Sequence, residues 1–287
     1  MAGASKLENL WRPMTGPLLL LGCGKMGGAL LRGWLDRGIG GTAARPVTVV
    51  EPSADAMRAF QDAARLTHVS SPDKLPGGFE PAVVVLAVKP QTMDRALAQI
   101  ARLRAGGPLY LSIAAGKTLG YFARHLGGGA AVVRSMPNLP ASVGRGATVA
   151  AANPNVTPGQ RALADRLLGA VGEVHWVADE GLLDAVTAVS GGGPAYVFLL
   201  IETLARAGIE SGLPAELAMQ LARATVIGAG ELARLSPEPA AKLRENVSSP
   251  GGTTIEALKI LMGPGGIQPL FDRAIAAATR RSRELAG

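Results

Sequence analysis

Apolar positions change their spacing near residue 179, and the two halves of the chain predict different architectures. Before that point, short apolar runs alternate with stretches whose apolar residues recur every three or four positions. Pro17–Leu21 predicts a buried strand ending at Gly22, and Lys25–Arg37 a helix that stops at Gly38. A strand over Pro46–Val50, a helix over Asp55–Arg65 and a wholly apolar third strand over Ala82–Val88 follow. That last run suits a parallel sheet covered on both faces. Next come a helix over Gln91–Leu103, a strand over Leu109–Ile113, a helix over Thr118–Leu126 and a strand over Ala130–Ser135. Short strands at Ala147–Ala151 and Val174–Val177 flank a helix over Pro158–Val171. This alternation predicts an α/β fold, with a Rossmann-like dinucleotide-binding domain over residues 16–179.

No strand pattern follows Asp179. Leu182–Val189, Ala195–Ser211, Ala215–Leu235, Pro239–Asn246, Thr254–Met262 and Ile267–Leu285 read as helices separated by Gly, Pro and Ser. They predict an all-α domain over residues 180–287. Ala195–Ser211 and Ala215–Leu235 are apolar on more than one side, and such helices need more than one packing partner. In a domain of about a hundred residues, part of that surface is expected to lie against a second copy. A compact monomeric bundle is the alternative.

Composition removes several function classes. The formal charge of +7 comes mostly from scattered arginines with no dense basic block, so nucleic-acid binding is not expected. No membrane span is expected either: the nearest apolar run, Tyr196–Leu204, is interrupted by Glu202 and soon followed by Arg206. His68, His125 and His175 stand far apart, and no Cys, His or carboxylate cluster has metal-ligand spacing. Cys23 is the only cysteine, which rules out an intramolecular disulfide and fits a reducing cytoplasm. The first fifteen residues carry Lys6, Glu8 and Arg12 without an apolar core, and read as an extension rather than a secretory signal.

The candidate chemistry lies at loops. Gly22-Cys23-Gly24-Lys25-Met26-Gly27 fits G-x-G-x-x-G, directly after a strand and opening a helix, the context that dinucleotide binding requires. Gly22 permits the tight turn, Gly24 lets the backbone approach a pyrophosphate, and Gly27 lets helix and strand pack closely. Glu51 ends the second strand, where an acidic residue commonly bonds the adenosine ribose and favours NAD; a solvated strand-end carboxylate is the alternative. Ser53, two residues on, suits a 2′-phosphate instead. Lys89, in Val88-Lys89-Pro90, is placed to hold a cofactor oxygen or simply to meet solvent. Ser112–Gly116 and Met136-Pro137-Asn138 end the next two strands, and their small residues leave room for a nicotinamide ring or form ordinary loops. Ser190-Gly191-Gly192-Gly193-Pro194-Ala195-Tyr196 opens the long helix, either for close approach of a ligand or for packing against a partner helix.

Asn246–Leu258 is the most informative stretch. Pro250-Gly251-Gly252 is a turn, and Thr253 with Glu256 reads as a capping box opening a helix. The first N–H groups of that helix suit a small carboxylate, and with Thr253 as cap the Thr254 hydroxyl faces the ligand.

Together these motifs resemble the pyrroline-5-carboxylate reductase family from about Leu18 to Leu285, most specifically over Asn246–Leu258. The resemblance implies NAD(P)H-dependent reduction of 1-pyrroline-5-carboxylate to L-proline by transfer of the 4S hydride. NADPH is the family default, and Glu51 argues for NADH. It implies that Gly22–Gly27 bind the pyrophosphate, that Ser53 lies near the adenosine ribose, and that Val88, Lys89, Pro90, Ala114, Ala115 and Asn246 line the cofactor cleft. Gly252, Thr253 and Thr254 would hold the substrate carboxylate through N–H groups, with the Thr254 hydroxyl on the ring nitrogen. The expected assembly is a homodimer, in many members built into a decamer. One departure is Gly192, where the family usually has serine. Two other readings share the fingerprint. A β-hydroxyacid dehydrogenase would need a lysine on the long helix, and none stands between Ser190 and Ala241. A non-catalytic dinucleotide sensor would not need the Gly252–Thr254 helix start.

Overall fold

The computed structural model describes residues 16–39, 47–63 and 66–286. The expected N-terminal extension, Pro46 and Arg65 lie outside them. The chain forms two compact units: the first runs to Gly191 and takes back the end of the chain from Arg280, and the second is Gly192–Thr279.

The first unit is built on an eight-stranded sheet in the order β3-β2-β1-β4-β5-β6-β7-β8. The strands are β1 (Leu18–Leu21), β2 (Val47–Val50), β3 (Leu66–Val69), β4 (Val83–Leu86), β5 (Leu109–Ser112), β6 (Ala131–Met136), β7 (Gly146–Ala152) and β8 (Gly172–Trp176). Neighbours pair in parallel except β6 with β7. Successive side chains point to opposite faces, and both faces are covered. Leu18, Leu20, Val83 and Val85 pack on one side with Leu30, Leu31 and Trp34 of α1 (Lys25–Asp36) and Leu163 and Leu167 of α5 (Pro158–Gly169). Leu19, Leu21, Val84 and Leu86 pack on the other with Met93 and Leu97 of α3 (Met93–Gln99) and Phe122 of α4 (Leu119–Leu126). This is the expected doubly wound α/β architecture. Strand order reverses between β1 and β4, which opens a crevice at their carboxyl ends.

Several elements differ from expectation. The strand over Ala82–Val88 is the fourth, because Leu66–Val69 forms an edge strand against β2. The helix expected over Asp55–Arg65 is one turn, α2 (Ala54–Met57), followed by a 3-10 turn to Phe60. The helix expected over Gln91–Leu103 is framed by 3-10 turns, since Pro90 at its start has no N–H and the backbone relaxes again after Ile100. The short α6 (Leu182–Val186) belongs to the first unit and packs on β6 and β7. There the Ser282 hydroxyl donates to Asp184 Oδ1 at 2.7 Å, with both residues buried.

The glycine-rich turn before the long helix does not break it. Thr187–Gly191 is a π turn, and Leu182–Glu210 is helical over 29 residues. By length and composition alone that helix is long and apolar enough to cross a membrane, which is weak evidence for a span. A long apolar helix passes the same test when another protein surface covers it.

The second unit consists of α7 (Gly193–Glu210), α8 (Ala215–Leu235), α9 (Ala240–Asn246), α10 (Thr253–Leu261) and most of α11 (Ile267–Ala286). Helices α7 and α8 pack together, and a methyl on Gly208 would already lie 3.3 Å from Ala218 Cβ. Among its described residues the buried apolar side chains are Ala205, Ala218 and Ala222. Phe198, Leu199, Ile227 and Ile260 are all more than half exposed. Three buried alanines do not make a core, so this unit must bury its large side chains elsewhere.

Candidate active site

The first group of candidate residues gathers at the carboxyl edge of the sheet. Gly22 follows β1 with φ +94°, a conformation that suits glycine, and its N–H donates to the Val50 carbonyl at 2.9 Å. A methyl there would also meet the Ala87 carbonyl oxygen at 2.9 Å. Gly24 is the N-cap of α1 and offers no side-chain cap. Among the described residues, the N–H groups of Lys25, Met26 and Gly27 have no protein acceptor; the first intrahelical bond runs from Gly28 N–H to the Gly24 carbonyl at 2.7 Å. Donors left this way, at the positive end of a helix, bind phosphate. A side chain on Gly27 would collide with the Gly22 carbonyl, whereas one on Gly24 would find nothing within 4 Å. The loop is therefore closed on the protein side and open on the other, and it fits a pyrophosphate. A cleft of about 380 Å³ lies beside it, lined by Gly24, Lys25, Gly28, Arg32, Phe60 and Ser142 among others.

Glu51 and Ser53 flank this loop. Glu51 is only 9% exposed, and both its carboxylate oxygens accept backbone N–H bonds: Oε2 from Cys23 at 2.7 Å and Oε1 from Ser53 at 2.8 Å. The Ser53 hydroxyl accepts from Ala56 N–H at 3.4 Å and caps α2. Cys23 is buried, and desolvation, reinforced by the Glu51 charge, pushes its thiol up to about 11. It stays protonated at neutral pH, so thiolate chemistry plays no part here.

Val88, Lys89 and Pro90 follow β4 across the crevice from Gly22. Lys89 is exposed and leads into the 3-10 turn, with Thr92 donating to its carbonyl at 3.0 Å. Ala114 and Ala115 follow β5, the first buried and the second exposed. Gly22–Gly27, Glu51, Ser53, Val88–Pro90 and Ala114–Ala115 thus share one edge of one sheet.

Two links there went unread in the sequence. Asn138 joins the turn after β6 to the π turn: its Nδ2 donates to the Ser190 carbonyl at 3.0 Å and its Oδ1 accepts from Ala147 N–H at 2.8 Å. Arg134 is buried on β6 and donates to Glu180 Oε2 at 3.0 Å, an oxygen that also accepts from Leu119 N–H at 3.0 Å. A lone arginine inside the apolar run Ala131–Met136 was the available signal, because a buried charge needs a partner.

The second group lies in the other unit. Asn246 ends α9, and its amide donates to Glu238 Oε2 at 3.0 Å. Gly251 turns with φ +71°, and Gly252 is the N-cap of α10. This corrects the expected capping box. Thr253 is already the first helical residue, no side chain among the described residues caps the helix, and Glu256 instead accepts from Lys259 at 2.7 Å. Gly252 N–H bonds the Ser249 carbonyl and Ile255 N–H the Gly252 carbonyl. Among the described residues, Thr253 and Thr254 N–H and the Thr254 hydroxyl have no partner. A bare helix start leaves its first N–H groups available to an anion, with the Thr254 hydroxyl beside them.

The family described as pyrroline-5-carboxylate reductase dimerisation matches residues 180–285. A family described as NADP oxidoreductase, coenzyme F420-dependent, matches residues 18–116. A pyrroline-5-carboxylate reductase of Synechocystis is 46% identical over 219 residues, covering 75% of this chain and 79% of its own. The chain belongs to the pyrroline-5-carboxylate reductase family. The Coxiella burnetii member of this family superposes with a TM-score of 0.87 at 34% identity, covering 95% of this chain and 99% of its own. The Plasmodium falciparum member, solved with NADP bound, gives 0.78 at 30% identity, covering 96% and 99%. Membership makes the chain an oxidoreductase with a small-molecule substrate. It also makes the exposed apolar faces of α7 and α8 part of an oligomerisation domain.

Proposed function

We propose that the protein reduces 1-pyrroline-5-carboxylate to L-proline, with NADPH as the preferred reductant and NADH as the alternative. The observation that carries this reading is the bare start of α10, with two free N–H groups and the free Thr254 hydroxyl on adjacent residues. The Thr253 and Thr254 N–H groups take the substrate carboxylate, and the Thr254 hydroxyl bonds the ring nitrogen. The free N–H groups at the start of α1 take the cofactor pyrophosphate. When bound, the reduced nicotinamide supplies a hydride. The substrate consumes that hydride and one proton as its C=N bond becomes the CH–NH of proline. An imine protonates far more readily than a ketone and then accepts hydride well. No strong side-chain acid is needed, and orientation with site electrostatics supplies most of the rate. Turnover of 1-pyrroline-5-carboxylate is expected with both cofactors and faster with NADPH, followed by loss of nicotinamide absorbance. Nucleotide binding without turnover would replace the reductase reading with that of a dinucleotide sensor.

The assembly in this reading is a homodimer through α7 and α8, with the decamer as its higher form. The lone buried cysteine fits a reducing cytoplasm. Sedimentation is expected to give at least twice the 29.3 kDa chain mass. Ile227→Asp, on an exposed stretch of α8, is expected to shift the protein toward monomer and to reduce turnover with it. A wild-type protein that sediments as a monomer would contradict this assembly.

A further inference from the structure

Glu51 closes β2 at the carboxyl edge of the sheet, in the position where an acidic residue commonly reads the adenosine ribose. Its surroundings give it other work. A carboxylate buried this far has to be satisfied by donors. Here they are backbone N–H groups of two separate turns, Cys23 at 2.7 Å and Ser53 at 2.8 Å, one on each oxygen. Its backbone is fixed as well: Glu51 N–H donates to the Val69 carbonyl at 3.1 Å, and its own carbonyl lies 2.8 Å from His68 Nε2. Edge strand β3 thus holds the residue from behind while the carboxylate holds the loops in front. Cys23 stands between the two glycines of the first turn, immediately ahead of the free N–H groups of α1.

We propose that Glu51 is a positioning residue: its carboxylate ties the Gly22–Gly24 turn to the Pro52–Ser53 turn, and so aims the start of α1 at the pyrophosphate instead of selecting the ribose. The proposal rests on the dinucleotide-binding reading. NADPH and NADH share the pyrophosphate and differ at the ribose 2′ position, so a positioning role affects both equally. A ribose-reading carboxylate would favour NADH through the 2′-OH and repel the 2′-phosphate of NADPH.

The test is direct titration of the full-length protein with NADPH and with NADH, without substrate. Glu51→Gln keeps the size of the side chain but turns an amide N–H toward one of the two backbone donors. Both dissociation constants are expected to rise by the same factor, about tenfold, which is the order of one charge-assisted hydrogen bond. Their ratio should stay at the wild-type value, and kcat at saturating NADPH should change much less than KM. If Glu51→Gln does not fold, Glu51→Asp supplies the same comparison, since its shorter side chain reaches one donor at most. Weaker NADH binding with unchanged or tighter NADPH binding would overturn the proposal, as would no change for either. A wild-type protein that binds neither nucleotide would remove the reading underneath, and the proposal with it.

Discussion

Gly24→Val is expected to leave the fold intact and to weaken NADPH binding by at least about a hundredfold, the scale of losing more than one phosphate hydrogen bond. Gly24 has extended backbone angles open to any residue, and a side chain there would find no protein atom within 4 Å. As an N-cap, valine costs the helix about 1 kcal/mol relative to good caps, a small fraction of the stability of a domain this size. The space the side chain enters is the approach to the free N–H groups of Lys25, Met26 and Gly27. Gly27→Ala should behave differently. Its methyl would collide with the Gly22 carbonyl and lie 3.1 Å from Ala87 Cβ, so β1, α1 and β4 all have to shift. A loss of about 1–3 kcal/mol is expected, with binding falling alongside stability. Thermal unfolding and NADPH titration of both variants separate the two cases. Wild-type NADPH affinity in Gly24→Val would mean that the loop holds no pyrophosphate.

What could be read in the sequence was local. The loop Gly22–Gly27, the apolar runs of β1 and β4 and the helix spacing of α1 each complete their pattern within a few residues, and each stands where expected. Strand β3 was missed because Leu66-Thr67-His68-Val69 is short and partly exposed; its pairing with β2, not its composition, makes it a strand. The capping box failed for a different reason. Thr253 and Glu256 satisfy the pattern, but Gly252 already supplies the extended cap geometry, and Lys259 competes for the Glu256 carboxylate. Glu51 could be found from its place at a strand end. Where its carboxylate points could not, because the bond to Cys23 spans 28 residues of chain. Arg134 with Glu180 spans 46. Such contacts are set by sheet order, which no short window of sequence contains. The exposed apolar surface of α7 and α8 was legible as helices with too many apolar sides, and the near-absence of a core in that unit is the structural counterpart of the same fact.

Thr254→Ala is expected to lower kcat for 1-pyrroline-5-carboxylate by about 10- to 100-fold, the range for losing one hydrogen bond to a group whose charge changes during the reaction. KM should move little. The Thr253 and Thr254 N–H groups proposed for the carboxylate belong to the backbone, and alanine keeps them. Stability should also hold, because the Thr254 hydroxyl caps nothing and has no partner among the described residues. The change therefore isolates the hydroxyl. Thr254→Ser, which keeps it, is expected to recover most of the wild-type rate. Steady-state kinetics on the three proteins, with thermal unfolding as a control, decides the matter. An unchanged kcat in Thr254→Ala would remove Thr254 from the chemistry and leave α10 as a carboxylate holder alone. A raised KM with kcat intact would instead place the hydroxyl in ground-state binding, where it contributes equally before and at the transition state.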